Sequence, residues 1–600
     1  MGDENLKEKY LKSADEYRIA ALKEERRLLI LSLLRLIFFA SGILIIWIGF
    51  SHSSASGFLL SLPVIIIFLY LLKLYSIHSG RKEFLFNLSK INSREAAALS
   101  GDISFFESGT EYINPEHSFS NDVDLFGNSS LFQYLNRTIT SYGREILASW
   151  LSDPYNLSPD LEKRQEAIRE LAGKEKWRHS FMASGYNNPL EKKDIEALLD
   201  WMREHDNIGT SGLKTILIYI MPAAAVISFS LLIAGLMPYQ VFIFIFLVNL
   251  LIVTVGLKKT NRIHNALSKK YSYLSSMDSL LKAFGNEFFT SEILNEIQKN
   301  ISVGKVSAAT SVRKLGSLIQ AFDSRLNLLV GFALNGFLLW DYQCIGRLEK
   351  WKSDYSRHFP VWLGMLGEVD AFISLGSYAF NNPGFSYPAL SAGDKMFSAS
   401  SLGHPLINSH ERVCNDFSIP EKGTVCVITG ANMAGKSTFL RTLAVNYILG
   451  MSGAPVCAGE ISFKPVKLFT SMRTTDSLSN HESYFYAELK RLKLLKSLIE
   501  NGEQVLFILD EILKGTNSAD KSLGSKLFIQ KLIELGGTGL IATHDISVGE
   551  MESDYPGRVI NKCFEVEIEG ETIRFDYLLR DGITHKMNAA LLMKQMGILG

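Results

Sequence analysis

The chain has 600 residues, which is too long for one hydrophobic core and indicates about three or four domains. Its 62 Lys and Arg residues balance its 62 Asp and Glu residues, so it has no overall attraction to nucleic acid, and any such binding would need a local basic patch. The five cysteines are scattered without a CxxC pair, which argues against a zinc site or a disulfide framework and for a reducing, cytoplasmic compartment.

Four apolar segments interrupt the chain, and the mean hydropathy is accordingly slightly positive, at +0.11. The segments are residues 28–50, 58–72, 216–236 and 241–257. A helix needs about 20 apolar residues to cross the hydrocarbon of a bilayer. The second segment reaches this length if it extends to about Ile77, with Lys73 reaching back to the interface. We predict membrane helices; the alternative, buried core helices of a soluble protein, fits the flanking charges less well.

The flanking charges predict the orientation of these segments. Lys and Arg residues precede the first and third segments and follow the second and fourth, whereas the loops at 51–57 and 237–240 contain none. This distribution predicts two hairpins, 28–77 and 214–258, with all ends in the cytoplasm. A cleaved signal peptide is the alternative for the first segment. Because a charged leader (1–27) precedes it and another apolar segment follows at once, we predict a retained anchor.

A fifth apolar run, at 326–340, is shorter and contains Asn327 and Asn335. A membrane crossing here would place the downstream phosphate-binding motif on the side of the membrane away from ATP. We therefore predict a buried helix in the soluble region of the protein.

The phosphate-binding motif is GANMAGKS at 430–437, which fits the pattern G-x-x-x-x-G-K-[ST]. It follows a predicted strand at 424–428 and precedes a predicted helix, which is the context that the motif requires. Glycines allow the backbone N–H groups to face phosphate, and the helix N-terminus adds a favourable dipole. Lys436 would reach the β- and γ-phosphates of ATP, and Ser437 would ligate Mg²⁺. The predicted nucleotide-binding residues in this stretch are Gly430, Ala431, Asn432, Met433, Ala434, Gly435, Lys436, Ser437 and Thr438.

Two further strands end in polar side chains. QVLFILDE at 504–511 predicts a buried parallel strand that ends at Asp510, a candidate Mg²⁺ ligand, and Glu511, a candidate for polarising the attacking water. GLIAT at 539–543 predicts another strand, which ends at His544. Ligands bind at the carboxyl ends of such strands, so His544 is a candidate for contacting the γ-phosphate, with Lys436 and Glu511 as the other catalytic candidates.

In this order and spacing, the motifs resemble the ATPase domain of the MutS family of DNA mismatch-repair proteins. The matching stretches are GHPLI at 403–407, TGANMAGKSTFLRT at 429–442, the segment at 476–492, LDEILKGTNSAD at 509–520 and ATHD at 542–545. The resemblance implies that Asn432 contacts phosphate and that Ser483 reaches the nucleotide of the opposite protomer, with Phe485 and Glu488 beside it. Hydrolysis would then require a dimer, expected to be a homodimer, whose interface is crossed by 515–520.

The resemblance extends upstream and has clear limits. Residues 124–154 resemble the start of the family's helical core or lever, and 260–400 would continue it. The family's mismatch-reading domain has no room here, so the Phe105 and Glu107 spacing is interpreted as coincidence. The second hairpin falls inside the lever, and Ala431 and Ala434 stand where the family usually has Pro and Gly.

The predicted fold is α plus α/β: a helical lever interrupted by transmembrane hairpins, followed by a P-loop, ABC-like ATPase domain. The predicted function is a multi-pass inner-membrane ATPase with a cytoplasmic ATPase domain, cofactors ATP and Mg²⁺, and family-implied binding of mismatched or structured DNA. The alternative is an ATP-driven membrane machine without mismatch recognition, and a nucleotide-gated scaffold is a third. The predicted segments are a leader (1–27), hairpin 1 (28–77), a first lever segment (78–213), hairpin 2 (214–258), a second lever segment (259–398) and the ATPase domain (399–600).

Overall fold

The computed structural model describes two compact units. Unit 1 comprises Met1–Leu99, Thr138–Glu145 and Lys174–Ala371, and unit 2 comprises Ser100–Arg137, Ile146–Gly173 and Phe372–Gly600. Both units are discontinuous in sequence, and the six consecutive segments stay a prediction. The described residues are 3–51, 56–186, 192–204, 212–268, 270–303, 306–391, 393–473, 484–514, 517–569 and 572–584.

Most described residues are helical. The helices are α1 Asp3–Ser51, α2 Ser56–Ala98, α3 Leu131–Leu135, α4 Ser141–Ser152, α5 Leu161–Gly173, α6 Glu175–Gly185, α7 Lys192–Arg203, α8 Gly212–Ile233, α9 Tyr239–Leu267, α10 Tyr271–Gly285, α11 Glu292–Asn300, α12 Ala308–Asp323, α13 Leu328–Leu338, α14 Trp340–Tyr355, α15 Phe359–Asn381, α16 Lys436–Met451, α17 Tyr484–Glu500, α18 Ser518–Glu534, α19 Ile546–Gly549 and α20 Met551–Asp554. Short 3-10 turns lie at Thr110–Tyr112, Pro154–Asp160 and Ser324–Leu326.

The described strands form one hairpin in unit 1 and two sheets in unit 2. The strands are β1 Ser302–Val303, β2 Val306–Ser307, β3 Ala389–Leu390, β4 Phe397–Leu402, β5 Asn415–Ile419, β6 Val425–Gly430, β7 Glu460–Phe463, β8 Lys467–Ser471, β9 Val505–Asp510, β10 Thr538–Thr543, β11 Val559–Glu569 and β12 Thr572–Asp581.

Unit 1 begins with a long antiparallel helical hairpin. Helix α1 has 49 residues, a length of about 74 Å, and packs along α2. Near the middle of the hairpin lies an ionic cluster in which buried Glu24 contacts Arg27 at 2.8 Å and His78 at 2.6 Å. Between this cluster and the end of α1 the outer face is apolar and open, with Leu33 62% and Trp47 67% exposed.

Several described helices are long and apolar enough to cross a membrane. Glu4–Gly49, Ser61–Ala98, Tyr239–Leu267 and Phe359–Asn381 meet this criterion by length and composition, and Ile218–Ile233 is a shorter apolar helix. In Phe359–Asn381, 72% of the apolar window is buried inside the protein, compared with 6–11% in the other three. The apolar segments in α1, α2 and α9 therefore have largely uncovered surfaces, and in α8 Tyr219, Ile227 and Ile233 are 69%, 59% and 73% exposed, while α15 has its apolar surface covered by protein.

The rest of unit 1 is a helical assembly in which α10, α12 and α14 pack together through buried residues such as Leu274, Leu315 and Leu348. Helix α13 packs against α8 and α9. The prediction of a buried helix at 326–340 is wrong in its burial, because Leu328 is 84% and Leu329 78% exposed. The helix itself forms and packs against α8, α9 and α14, while among the described residues nothing covers Leu328 and Leu329.

Unit 2 contains a six-stranded sheet with the order β12-β11-β6-β10-β9-β8. Only the β11–β12 pair is antiparallel in this sheet. The strands predicted at 424–428, 504–511 and 539–543 correspond to β6, β9 and β10, and every residue of these three strands is buried. Fully apolar strands suit a sheet covered on both faces, and their side chains form one core with α17 and α18. The second sheet, β3-β7-β4-β5, was not anticipated from the sequence.

Candidate functional site

The site lies where three neighbouring parallel strands end. Strand β10 pairs with β6 on one side and with β9 on the other, with Thr543 opposite Thr429 and Ala542 opposite Asp510. Because parallel strands bring their carboxyl ends to one edge, the residues that follow them meet in space. The sheet thus brings the loop at 430–437, the Asp510–Glu511 pair and His544 together.

The loop after β6 turns tightly into helix α16. Gly435 has a φ of 107°, a left-handed conformation that glycine adopts without strain, and the exposed Met433 has a φ of 68°. Lys436 is buried, and its Nζ donates to the carbonyl oxygens of Gly430 (2.6 Å) and Ala431 (3.0 Å). Burial lowers the pKa of the Lys436 ammonium below its ordinary value, against the attraction of Glu511. The lysine side chain therefore lies folded over the loop whose N–H groups would face an anion.

Ser437 and Asp510 form a pair of oxygen ligands. The Ser437 hydroxyl donates to Oδ2 of Asp510 at 2.6 Å. Asp510 is 8% exposed, and its Oδ1 is buried without a hydrogen-bond partner among the described residues. A buried carboxylate oxygen with free acceptor capacity beside a serine hydroxyl fits Mg²⁺, which binds through one or two carboxylates together with water and phosphate oxygens. The residues present therefore fit the predicted ion.

Glu511 is held in a constrained backbone conformation beside His544. Its φ is 51°, unusual for a residue other than glycine, and its N–H donates to the carbonyl of Ala542 at 2.9 Å. His544 Nδ1 lies 3.4 Å from the Glu511 carboxylate. Burial acts to raise the pKa of Glu511, but Lys514 and His544 together hold it below its ordinary value. The carboxylate is therefore ionised at neutral pH and able to accept a proton or a hydrogen bond.

The loop that follows Glu511 is tied to α17. Glu488, 4% exposed, accepts hydrogen bonds from the backbone N–H groups of Leu513 (2.5 Å) and Lys514 (3.2 Å). Phe485 packs against the core of the sheet from the same helix. The predicted trans-acting Ser483 lies outside the described residues, so its position stays a prediction.

A cavity of about 490 Å³ opens beside the loop. Seven of the predicted nucleotide-binding residues line it together with Glu511, whereas Gly430, Ala434, Asp510 and His544 do not. The predicted residues in its lining are Ala431, Asn432, Met433, Gly435, Lys436, Ser437 and Thr438. Its volume lies within the range of about 300–1,000 Å³ typical of small-molecule sites.

The cavity lining also contains residues that sequence reasoning missed. His404, Phe564 and Tyr577 are far from the loop in sequence, and Phe564 and Tyr577 lie against the glycines of the loop. Tyr577 has a φ of 56° and is 44% exposed, so a strained backbone presents an aromatic ring at the cavity. Burial lowers the pKa of His404 to about 4, with a contribution from Arg441. The available sequence signal was GHPLI, which indicated only the start of a domain.

Comparison with known proteins gives matches to two regions. Residues 426–596 match the profile of MutS domain V, and residues 115–501 match that of MutS domain III. The domain III match encloses hairpin 2 at 214–258.

Among curated relatives, the chain is 28% identical over 250 residues to the DNA mismatch repair protein MutS of Thermotoga petrophila, covering 41% of the chain and 31% of that protein. It is 33% identical over 223 residues to MutS of Aquifex pyrophilus, covering 36% and 25%. The human MutS protein homolog 4 is 29% identical over 206 residues, covering 33% and 22%. The matched region thus spans less than a third of the length of each of these relatives.

Proposed function

The chain belongs to the MutS family, and from this premise we propose that it is a membrane-anchored ATPase that binds and hydrolyses ATP as a dimer. The observation that carries the proposal is the meeting of the loop at 430–437 with Asp510 and Glu511 beside a cavity of about 490 Å³. Phosphoryl transfer needs a phosphate-binding loop, a lysine, a hydroxyl ligand for Mg²⁺ and acidic residues close together. The ends of the adjacent parallel strands supply all of these groups.

In this proposal the loop holds the phosphates of ATP. The N–H groups at the start of α16 point at the anion, and the helix dipole favours negative charge there. Lys436 exchanges its hydrogen bonds to two loop carbonyls for hydrogen bonds to the β- and γ-phosphates. These new bonds are stronger, because the phosphate acceptors are charged and the carbonyls are neutral. The aromatic ring of Tyr577 lies against Gly435 in the cavity lining, and we propose it as a stacking surface for the adenine base.

Ser437 and Asp510 would hold Mg²⁺, which when bound neutralises charge on the phosphate oxygens. Glu511 carries the water-activating role, because it is ionised at neutral pH and lies one residue beyond the metal-binding carboxylate. His544, 3.4 Å from Glu511, would orient that carboxylate and would donate to the γ-phosphate in this proposal. Ser483 of the opposite protomer completes the site in this proposal, which makes hydrolysis depend on dimer formation.

The ATPase proposal is tested on the full chain purified in detergent. Glu511→Gln removes a general base and should lower kcat by about 100-fold or more while ATP still binds. Lys436→Ala should weaken ATP binding itself. Glu421→Gln and Lys422→Ala, at exposed positions before the amino end of β6, are matched controls and should retain wild-type turnover. Unchanged turnover in both Glu511→Gln and Lys436→Ala would refute the proposal.

Membrane anchoring is supported by the uncovered apolar faces of α1, α2, α8 and α9 and by the charge distribution around them. Exposed leucines in water are unfavourable by about 25 cal/mol for each Å² of apolar surface, so helices with most of their apolar surface uncovered need lipid. Carbonate extraction of membranes from expressing cells tests this anchoring, and release of the chain into the soluble fraction would contradict it.

We propose that the ATPase acts on DNA, because the chain belongs to the MutS family and its relatives are named for DNA mismatch repair. The balanced charge of the chain gives no additional support. Titration with matched, mismatched and branched duplexes over a salt series is the test, because phosphate contacts are strongest at low salt. Failure to bind any duplex at low salt would remove DNA from the proposal and leave the ATPase intact.

A second candidate is an ATP-driven machine that acts on the membrane. It is favoured by one observation: the apolar hairpin α8–α9 lies inside the stretch that matches MutS domain III. Movement of that helical domain would act directly on lipid-embedded helices. Replacing 212–267 by a soluble linker distinguishes the two candidates. Full cellular function after the replacement would show that hairpin 2 is only an anchor.

A further inference from the structure

Helix α13 interrupts unit 1 with a sharp bend. It makes an angle of 80° with α14, and the two helices are separated only by Leu339, which has a φ of 49°. A left-handed leucine is rare outside positions that tertiary contacts enforce. The chain therefore runs into α13 and back out within a short distance.

The outer face of α13 is apolar and open. Leu328 and Leu329 are 84% and 78% exposed, and Leu326, in the turn just before the helix, is 70% exposed. Three large apolar side chains this close in sequence form a patch rather than scattered surface residues. No described residue covers these side chains, so the patch needs an occupant from outside the described chain.

The inner face of α13 shows where the helix lies along α9. The ring of Phe332 packs against that of Phe246 in a tilted arrangement with centroids 5.3 Å apart, and Asn249 Nδ2 donates to the carbonyl of Gly336 at 2.8 Å. Lys258 is the first cation after the apolar stretch of α9, 12 residues beyond Phe246 and 9 beyond Asn249. At about 1.5 Å per residue, α13 crosses α9 about 13–18 Å above that lysine. Half the thickness of a bilayer hydrocarbon core is about 15 Å.

Side chains form hydrogen bonds with backbone groups that lack helical partners at the bend. Asn249 Nδ2 donates to the Gly336 carbonyl, and Gln343 Nε2 donates to the Leu338 carbonyl at 2.8 Å. Asn335 Oδ1 accepts the N–H of Asp341 at 3.0 Å. A break in a helix at membrane depth requires such partners, because hydrocarbon offers no water to the free N–H and C=O groups.

An ion pair joins a residue that precedes α13 to a residue that follows it in the chain. Arg325 Nε lies 3.0 Å from Asp341 Oδ2, with the side chains 10% and 1% exposed, and Arg325 also donates to Asn261 Oδ1 at 2.9 Å. Asn261 follows Lys258 by one turn of α9, so this pair lies at the charged end of the hairpin. The residues that flank α13 on either side are thus tied together near the charged end of α9.

We propose that α13 is a re-entrant membrane element: it dips from the cytoplasmic side into the hydrocarbon beside α8 and α9 and returns to the same side, with its outer leucines against lipid acyl chains. This inference rests on the proposed membrane anchoring through α9. If α9 spans the bilayer, a helix packed against its middle lies at the same depth. The return to the cytoplasmic side also keeps the loop at 430–437 with ATP, which a full crossing would not.

Depth-dependent fluorescence quenching tests the proposal on the full chain in lipid nanodiscs. Cys414 is the exposed cysteine among the five, so Cys414→Ser gives a background in which the buried thiols stay unlabelled. Single cysteines for an NBD label are introduced as Leu329→Cys on α13, Leu251→Cys on α9 and Phe288→Cys between α10 and α11. These side chains are 78%, 65% and 77% exposed, so the substitutions disturb no core.

We expect lipid with a mid-chain nitroxide to remove about half of the emission at Leu329 and Leu251 and less than about a tenth at Phe288, with aqueous iodide giving the opposite order. Quenching by lipid at Leu251 but not at Leu329 would overturn the re-entrant element and leave the membrane anchor standing. Lipid quenching at neither position would overturn the anchor itself. Protection of Leu329 from both quenchers would assign the patch to a protein partner and also overturn the proposal.

Discussion

Glu488 is the side chain whose replacement tests the construction of the site most directly. It lies on α17, is 4% exposed, and accepts the N–H groups of Leu513 and Lys514 just beyond the Asp510–Glu511 pair. Glu488→Gln keeps the size of the side chain but exchanges one acceptor oxygen for an NH₂ group. One of the two N–H groups then faces another donor, and the remaining bond loses its charge.

The expected cost follows from these two bonds. A hydrogen bond to a charged group contributes about 1.5–3 kcal/mol, and a buried donor without a partner costs about 1–3 kcal/mol. We expect Glu488→Gln to lower the local stability of the loop by about 2–3 kcal/mol. That corresponds to an amide exchange rate at Leu513 and Lys514 that is about 30- to 150-fold faster, since about 1.4 kcal/mol is a factor of ten.

Hydrogen-exchange mass spectrometry on the full chain in detergent measures this change. Glu500→Gln is the matched control: it lies on the same helix, and its exposed pair with Lys496 at 2.6 Å should be worth less than about 1 kcal/mol. Exchange in the peptide containing Leu513 should accelerate in Glu488→Gln and stay unchanged in Glu500→Gln. Equal exchange in both variants would show that Glu488 does not hold the loop.

Two further predictions concern packing and pH. A Cβ at Gly336 would overlap the ring of Phe246, so Gly336→Ala should destabilise unit 1 by about 1–3 kcal/mol. The control Gly346→Ala on α14 meets no atom within 4 Å and should be neutral or stabilising. Thermal unfolding in detergent compares the two variants, and equal melting temperatures would refute the clash. The pKa of His404 is about 4 in the fold against about 6.5 in the unfolded chain, so the unfolded state binds the proton first and stability falls by about 3 kcal/mol as the pH drops from 6.5 to 4. His404→Gln should lose less melting temperature than wild type between pH 7.5 and 5, and parallel losses in the two proteins would contradict this assignment.

Several features could be predicted from the sequence because each is local. The loop at 430–437 and the Asp510–Glu511 pair directly follow short, fully apolar runs, which form parallel strands that bring their carboxyl ends to one edge. The meeting of Ser437 with Asp510 at 2.6 Å is a consequence of that rule. The apolar segments were similarly visible as long runs of apolar residues with charged flanks.

Other features could not be read locally. Tyr577 reaches the cavity from a strand more than a hundred residues beyond the loop, and its left-handed backbone follows from tertiary contacts. No pattern in the sequence indicates that the Glu488 carboxylate accepts hydrogen bonds from the N–H groups of Leu513 and Lys514. The prediction of a buried helix at 326–340 rests on its short length, on Asn327 and Asn335, and on the need to keep the loop at 430–437 with ATP. Its burial could not be read from the sequence, because an apolar run has the same pattern whether protein or lipid covers it.

The sequence by itself therefore determined the family, the strand-loop-helix motif and the apolar hairpins, since these depend on residue types at short spacing. Only the tertiary structure decided which distant side chains complete the cavity, how Glu488 ties the loop beyond Glu511, and which face of α13 remains open. The physical reason is that burial and hydrogen-bond satisfaction belong to pairs of segments, and the pairing of segments far apart in the chain leaves no local periodicity to read.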